Sequence, residues 1–157
     1  MSGLSNHYDA MFAIKAMIDA LRTAGTITGL TTTGIKGGVV IQEVAWHEKD
    51  VTGTELDFIS ISPYGSETSG DANSNEDEVG YPVLVSLIGC PDASKLEQRL
   101  GIREKLRRRF RNASLSGQTR NFNLIPEPLA CVDLSAWRLK LYGSGIVVRC
   151  LYEEPRT

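Results

Sequence analysis

The sequence predicts a single α+β domain, residues 1–157, in which a mixed, mainly antiparallel sheet carries two helices on one face. Two observations lead to this fold class. Apolar, β-branched runs separated by short polar turns predict strands that pair with their neighbours in sequence. Two segments with apolar residues at helical spacing predict helices that cover the sheet. A chain of 157 residues with 41% apolar residues is long enough to bury one core.

The central stretch is residues 81–111, which begins as a buried strand over 83–88 and becomes a basic helix. Asp92 or Ser94 is the expected helix cap. Arg103 and Arg107 are expected at the edge of the apolar face, with their stems on the core and their charges in water. That face is predicted to contain Leu96, Leu100, Ile102, Leu106 and Phe110.

The other predicted elements follow in chain order. They are a helix capped at Asn6 and stopped at Gly25, a Thr- and Gly-rich connection over 26–38, strands over 39–46 and 56–62, an edge strand or extended segment over 122–128 that contains two prolines, and a final strand from Trp137 to Pro155. Within the last strand, Gly143-Ser144-Gly145 predicts a kink or a bulge.

Residues 64–79 predict a long, mobile, acidic loop. Asp71, Asn73 and Asn75 fall at alternate positions, as in a calcium-binding loop. However, Glu76 replaces the turn glycine of that motif and Pro82 replaces its bidentate glutamate. A solvated loop is therefore favoured over a calcium site.

Charge is divided unevenly along a chain whose net charge is only −2. Residues 66–78 contain five acidic and no basic residues, whereas residues 99–111 contain seven basic residues and one acid, Glu104. Such segments can complement each other between copies of one chain, which suits a ring. Two alternatives remain open: a helix face that is simply solvated, and a surface that binds phosphates.

No motif for catalysis, cofactor binding or metal binding is found in the sequence. Its two histidines, His7 and His47, have no ligand or nucleophile at a useful spacing. A small hydrolase that uses His47 and Glu78 is the weakest function class. No apolar run approaches the roughly 20 residues of a membrane span. The three cysteines, at 90, 131 and 150, are expected to be reduced thiols.

Several features together resemble the tail-terminator and neck proteins of tailed bacteriophages. They are the N-terminal helix through Leu21, the strand over 39–46, the acidic segment that leads into residues 77–85, the helix over 103–110 and the strand ending at residues 149–156. The resemblance implies a non-enzymatic structural protein of the virion, made in the host cytoplasm. It also implies a hexameric ring at the head–tail junction whose partners are the tail tube and the neck or connector proteins.

The same resemblance implies the candidate site residues. Arg103, Arg107, Arg108 and Arg109 are candidates for an inter-subunit surface or for non-specific contact with DNA in the channel. Glu76, Asp77 and Glu78 are candidates for the opposite inter-subunit surface. No catalytic residue, cofactor, metal or membrane contact is implied. The alternative function is a small nucleic-acid-binding module that uses the basic helix over 99–111.

Overall fold

The structure, a computed structural model, describes residues 4–31, 38–45 and 57–156. These residues form one α+β domain of three helices and a seven-stranded sheet, which confirms the predicted fold class. The helices are α1 (Asn6–Thr23), α2 (Leu96–Phe110) and α3 (Leu134–Arg138). The strands are β1 (Val39–Ile41), β2 (Phe58–Pro63), β3 (Thr68–Asp71), β4 (Glu76–Gly89), β5 (Ser114–Ser116), β6 (Asn121–Pro128) and β7 (Tyr142–Pro155).

The sheet is mixed, in the order β1-β2-β4-β7-β6-β5, and β3 pairs with the start of β4. The β1–β2 pair is parallel, and the pairs that involve β3 to β7 are antiparallel. Strands β4 and β7 pair along their whole length, from Glu76 opposite Pro155 to Gly89 opposite Tyr142. This long ladder gives the domain two distinct ends.

Helices α1 and α2 pack on the same face of the sheet, as the sequence predicts. On β4 this face is formed by the alternate residues Tyr81, Val83, Val85 and Leu87, all of which are buried. One hydrophobic cluster joins them to both helices and to β7, through Met11, Ile14, Ile18, Ile102, Leu106, Phe110, Ile146 and Val148. Apolar spacing in the sequence thus identifies the side of each helix that faces the core.

The ends of α1 are set by local capping. Ser5, rather than the predicted Asn6, caps the helix, because its hydroxyl accepts a hydrogen bond from an amide of the first turn. Gly25 follows the helix with φ +77°, the left-handed conformation common after a helix end. Asp9 is fully buried, and its carboxylate accepts the Gln118 amide at 2.6 Å. Asp9 therefore ties α1 to the turn between β5 and β6.

Helix α2 follows a short 3₁₀ turn, Ala93–Lys95, that Asp92 caps by accepting the Ser94 amide at 3.0 Å. The predicted cap Asp92 therefore caps the 3₁₀ turn, whereas the α-helix itself begins at Leu96; Gly101 does not interrupt it. The prediction for Leu96 is wrong, because this side chain is 47% exposed and does not belong to the core. It lies at the first residue of α2, where the helix has not yet reached the sheet interior.

A buried ion pair fixes α2 on the sheet. Arg99, 1% exposed, donates from Nε and Nη2 to the two carboxylate oxygens of Asp57, each at 2.8 Å. Its Nη2 also donates to the Cys90 carbonyl at 2.6 Å, and its guanidinium carbon lies 4.2 Å from the ring centroid of Tyr142. A Cβ at Gly89 would lie 2.0 Å from an oxygen of Asp57, so glycine makes room for the pair. Residues before β2, after β4, in α2 and in β7 thus meet at one point.

Burial alone would lower the pKa of Arg99. The hydrogen bond and the charge of Asp57 act in the opposite direction, and they leave the pKa of Arg99 above its ordinary value. Arg99 therefore keeps its positive charge inside the core.

Residues 64–79 are not the predicted loop. Strand β3 pairs with β4 from Thr68 opposite Gly80 to Asp71 opposite Asp77, and residues 72–75 form a tight turn between them. The segment lacks the apolar alternation that marks a strand in sequence. The hairpin is instead stabilised by β7, which extends to Pro155 and pairs with residues 76–79 on the edge of β4 opposite β3.

The region before β7 also differs from the prediction. Residues 134–138 form α3, capped by Asp133, instead of the start of a strand at Trp137. Gly143 and Gly145 lie in regular pairing with β4 and form no bulge. A Cβ at Gly143 would lie 3.1 Å from the Cβ of Ala136, so this glycine lets α3 lie closely on the face of the sheet opposite α1 and α2.

Strand β1 is shorter than predicted and ends at Ile41. The side chain of the next residue, Gln42, donates a hydrogen bond to the Ser60 hydroxyl at 2.9 Å. Trp46 and Leu56, expected at the end of one strand and the start of the next, lie outside the described residues. Strand β2 includes Pro63, the residue that the sequence predicts to end it.

Replacing Arg99 by Met should lower the free energy of unfolding by about 3–5 kcal/mol, because the variant leaves the Asp57 carboxylate buried without a cation. Urea unfolding of Arg99→Met, Asp57→Asn and the double variant measures the coupling. The double variant should be more stable than the sum of the two single losses predicts. Strictly additive losses would contradict a directly coupled pair.

Candidate functional site

The predicted basic surface is present at the C-terminal end of α2. Arg107, Arg108, Arg109 and the following Arg111 are exposed, and we call these four residues the basic end. The buried side chains of Leu106 and Phe110 anchor this turn to the core. Cations in the last turn are favoured by the partial negative charge of the helix terminus, so the helix itself tolerates the cluster.

Within the basic end, only Arg108 has an acidic partner among the described residues, Glu104, at 3.1 Å one helical turn earlier. Arg107, Arg109 and Arg111 form no hydrogen bond or ion pair with any residue that the structure describes. An exposed pair such as Arg108–Glu104 contributes little to stability. Most of the charge of the basic end is therefore available to an external partner.

Arg103 does not belong to this surface, which corrects the sequence prediction. Its side chain is buried and donates from Nη1 to the Ser144 hydroxyl at 2.7 Å and to the Gly145 carbonyl at 2.9 Å. Its Nη2 donates to the Leu129 carbonyl. These acceptors satisfy the guanidinium inside its own chain. Arg103 therefore joins α2 to β7 and is not available to DNA or to another subunit.

The acidic residues of β4 divide between the two faces of the sheet, because side chains alternate along a strand. Asp77 accepts Nε of Arg156 at 2.7 Å, and the same arginine donates to Asp71 at 2.8 Å. Arg156 also donates to the Ser74 carbonyl at 3.0 Å, which holds the turn of the β3–β4 hairpin. Asp77, a predicted site residue, is thus already paired within the chain.

Glu76 and Glu78 lie on the other face, where Glu153 of β7 stands directly opposite Glu78. We call these three glutamates the acidic hollow, because they line a surface cavity of about 380 Å³. Glu78 and Glu153 have no hydrogen bond or ion pair within the described part of the chain. Like charges directly opposite each other on paired strands repel, so a cation bound between Glu78 and Glu153 would reduce their electrostatic repulsion.

Arg120 lines the same cavity, but its guanidinium is directed to Asp9 at 3.5 Å and to the Thr119 hydroxyl at 2.9 Å. Glu76 accepts a hydrogen bond from the Asn73 side chain at 3.0 Å. The negative charge of the hollow is therefore only partly offset by its own surroundings.

A polar network beside the hairpin was not predicted. The hydroxyl of Tyr81 donates to Glu154, and Asn6 donates to the same carboxylate at 3.0 Å. Burial and the interaction with Glu154 raise the pKa of Tyr81 to about 12. His7 lies nearby, with Nε2 2.7 Å from the Pro82 carbonyl. The network joins α1, β4 and β7 at the acidic end of the ladder.

Two alternatives from the sequence can be placed on the structure. The side chains expected in a calcium loop hold the hairpin turn instead: Asp71 pairs with Arg156, and the side-chain Oδ1 of Asn73 accepts a hydrogen bond from the Asn75 backbone amide at 2.8 Å. In residues 4–31, 38–45 and 57–156, no group of three or more His, Cys, Asp or Glu side chains is arranged to hold a metal. His47, required by the hydrolase alternative, lies outside the described residues.

The three cysteines are free thiols: Cys131 is exposed, Cys90 is half-buried and Cys150 is buried. Burial raises the pKa of Cys150 to about 12, so this thiol is not a nucleophile at neutral pH. Among the helices that the structure describes, none has the length and apolar character required to cross a bilayer.

Two contributors to the surface were missed from the sequence. Glu153 joins the acidic hollow only through the register of β7 against β4, which no local pattern reveals. Arg156 reaches the hairpin for the same reason. The adjacent glutamates at residues 153–154 could have predicted this acidic surface, because two acidic residues without a basic neighbour in a strand indicate a surface that favours a cation.

No protein-family model matches the chain, and no curated protein matches its sequence.

Replacing Tyr81 by Phe should change how stability depends on alkaline pH. The folded pKa of about 12 exceeds the ordinary value of 10, so the folded state holds this proton more tightly. Stability from Tyr81 is complete below pH 10 and is lost as pH rises towards 12. The variant should be less stable by about 1 kcal/mol at pH 8, and the difference should shrink between pH 10 and 12.

Denaturant unfolding at several pH values measures this difference. Cys150 also titrates in the alkaline range, but it is present in both proteins and cancels in the comparison. A stability gap that stays constant from pH 8 to pH 12 would contradict the assignment.

Proposed function

We propose that the protein is a ring-forming structural protein of a tailed-phage virion, a tail terminator or neck component at the head–tail junction. The resemblance in the sequence suggests this class. The observation that carries the proposal is that the basic end and the acidic hollow are two separate surfaces of opposite charge. Each of them contains side chains without a partner in the described chain.

Two different surfaces that complement each other favour a head-to-tail contact between copies. Such a contact leaves one free surface of each kind at the ends, and a ring forms when the rotation between copies closes. The arginines of one copy would receive the carboxylates that they lack, and the opposed Glu78 and Glu153 of the next copy would receive a cation. Charge complementarity of this kind also fixes orientation and excludes wrong contacts.

The function proposed for the ring is assembly rather than catalysis. A closed hexameric ring that sits on the tail tube stops the growth of the tube. Its other face then provides a docking surface for the neck or connector proteins. The protein contributes rigid geometry to this role, because the fourteen-residue β4–β7 ladder crosses the whole domain and ends at the acidic hollow.

The second candidate function is nucleic-acid binding through the basic end. It is supported by the exposure of Arg107, Arg109 and Arg111 without acidic partners. It is weaker than the sequence suggested, because Arg99 and Arg103 are both buried in the chain and contribute nothing to the surface. Phosphate binding requires no acidic hollow, and it weakens steeply with salt in proportion to the phosphates neutralised.

Reversing Arg107, Arg108 and Arg109 to Glu should abolish assembly and leave the fold intact, because these side chains are exposed. Light scattering of the purified protein without nucleic acid gives the mass at low and at high salt. Wild type should form a closed oligomer that high salt weakens. The variant should form no closed oligomer and should keep an unchanged circular dichroism spectrum.

The matched control reverses the other surface, with Glu76, Glu78 and Glu153 changed to Lys. This second variant should also fail alone, and a mixture of the two variants should assemble, because each then offers what the other lacks. Normal oligomers from the arginine variant would contradict the proposal. A wild type that is monomeric at all salts and binds DNA with a steep salt dependence would favour the second candidate.

A further inference from the structure

Another surface cavity, of about 310 Å³, lies on the face of the sheet opposite α1 and α2. Its floor is formed by β4 and β7, where Ser86 pairs with Gly145. Ser86 stands eight residues along β4 from Glu78, which is a distance of about 26 Å in an extended strand. The cavity is therefore separate from the acidic hollow of the proposed ring.

One wall of the cavity is held in place by hydrogen bonds to the edge of β7. This wall is the segment between β6 and α3, residues 129–133. The Leu129 amide donates to the Gly145 carbonyl at 3.2 Å. The Asp133 amide donates to the Gly143 carbonyl at 2.7 Å. The wall is thus fixed by the chain itself, and the cavity is already formed without a bound molecule.

The absence of a side chain at Gly145 opens the floor of the cavity. A Cβ at this position would lie 3.0 Å from Cδ1 of Leu84, 3.3 Å from Oγ of Ser86 and 3.6 Å from Cδ1 of Leu129. Three lining side chains therefore converge on the space beside this glycine. Because a cavity of roughly 150 Å³ holds benzene, the volume of this cavity suits a molecule of two fused rings.

One polar side chain in the floor lacks a partner. Ser86 is only 6% exposed, and its hydroxyl forms no hydrogen bond with any residue that the structure describes. The hydroxyl of Ser60, directly opposite on β2, differs because it accepts a hydrogen bond from Gln42 at 2.9 Å. An unsatisfied hydroxyl in apolar surroundings costs free energy. Ser86 therefore provides one position for a hydrogen bond at the bottom of the cavity.

The other lining groups select the kind of molecule that fits. The apolar side chains of the lining include Leu84, Leu129, Val132 and Leu134. A water molecule at the Ser86 hydroxyl would have few of the two to four polar partners that a buried water needs. Of the described lining residues only Asp133 is charged, and its carboxylate caps α3. The cavity therefore favours a neutral, mostly apolar molecule with one hydrogen-bonding group.

We propose that this cavity binds a neutral molecule of about two fused rings that carries a single hydroxyl. The rings lie against Leu84 and Leu129 and displace water from the apolar walls. The hydroxyl of the molecule forms the hydrogen bond that Ser86 lacks within the chain. This binding is independent of the contact that closes the proposed ring.

Titration of the natural chain with 2-naphthol and with naphthalene, followed by NMR, tests the site. Both probes should shift the methyl signals of the lining residues Leu84, Leu129, Val132 and Leu134. The 2-naphthol should bind about three- to tenfold more tightly, because it alone bonds to Ser86. Ser86→Ala should remove this advantage and leave the affinity for naphthalene within about twofold.

A second variant fills the cavity. Leu84→Phe enlarges a side chain of the floor and should weaken the binding of both probes at least tenfold, because it occupies volume that the rings need. Ile125→Phe is the matched control, at a 44% exposed position on the same face of the sheet but outside the cavity. It should change neither affinity. Urea unfolding of each variant checks that it is folded.

Three results would each overturn the proposal: no shift with either probe, an equal loss of both affinities in Ser86→Ala, or unchanged binding to a folded Leu84→Phe variant. Tighter binding of N-acetyltryptophanamide than of 2-naphthol would also overturn it, because the cavity would then fit an aromatic side chain of another protein. None of these results bears on the ring, since no substitution lies in the basic end or the acidic hollow.

Discussion

The buried ion pair between Arg99 and Asp57 sets the position of α2, and the rest of the molecular surface depends on that position. A guanidinium inside a protein is tolerated only when its donors are satisfied, and Asp57 and the Cys90 carbonyl do this for Arg99. Four residues further on, Arg103 meets the carbonyls beside β7. Each step of four residues turns the side chain by about 40° around the helix. Arg107 has therefore turned out of the core and begins the basic end.

The same reasoning explains which parts of the site the sequence could reveal. Apart from Leu96, apolar spacing correctly placed the core faces of both helices, and it predicted the apolar strands of the sheet but not β3 or β5. It could not separate the two kinds of arginine on α2, because a charged residue near an apolar face is usually assigned to its edge. Arg103 is buried because β7 presents the Ser144 hydroxyl and the Gly145 carbonyl to its guanidinium, and their position depends on a pairing between distant parts of the chain.

The misjudged hairpin and helix have related causes. Residues 76–78 are all acidic, so nothing in their own pattern marks a strand, yet β7 pairs with them residue by residue. Around Trp137, apolar and basic residues alternate as they would in a strand. The cap at Asp133 and the close fit of Ala136 on Gly143 favour a short helix instead. In both places tertiary packing outweighs local preference.

The distribution of chemistry over the domain suits a component that touches several neighbours. The acidic hollow occupies one end of the β4–β7 ladder, an apolar groove lined by Leu134, Trp137 and Tyr142 lies at the other, and the basic end projects from the helical face. The acidic hollow and the basic end each contain side chains without a partner in the described chain. A structural protein needs such separation, because its contacts must form independently and in a fixed geometry.

The most direct measurement of the central claim is a disulfide cross-link between the basic end and the acidic hollow. Arg108→Cys and Glu78→Cys are each made in a chain that also carries Cys131→Ser, which removes the exposed natural thiol. The account predicts that the mixture forms a linked pair on oxidation and that neither variant does so alone. It also predicts that Ala20→Cys, exposed on α1, gives no pair with Glu78→Cys. Equal cross-linking with Ala20→Cys, or none with Arg108→Cys, would contradict a contact between these two surfaces.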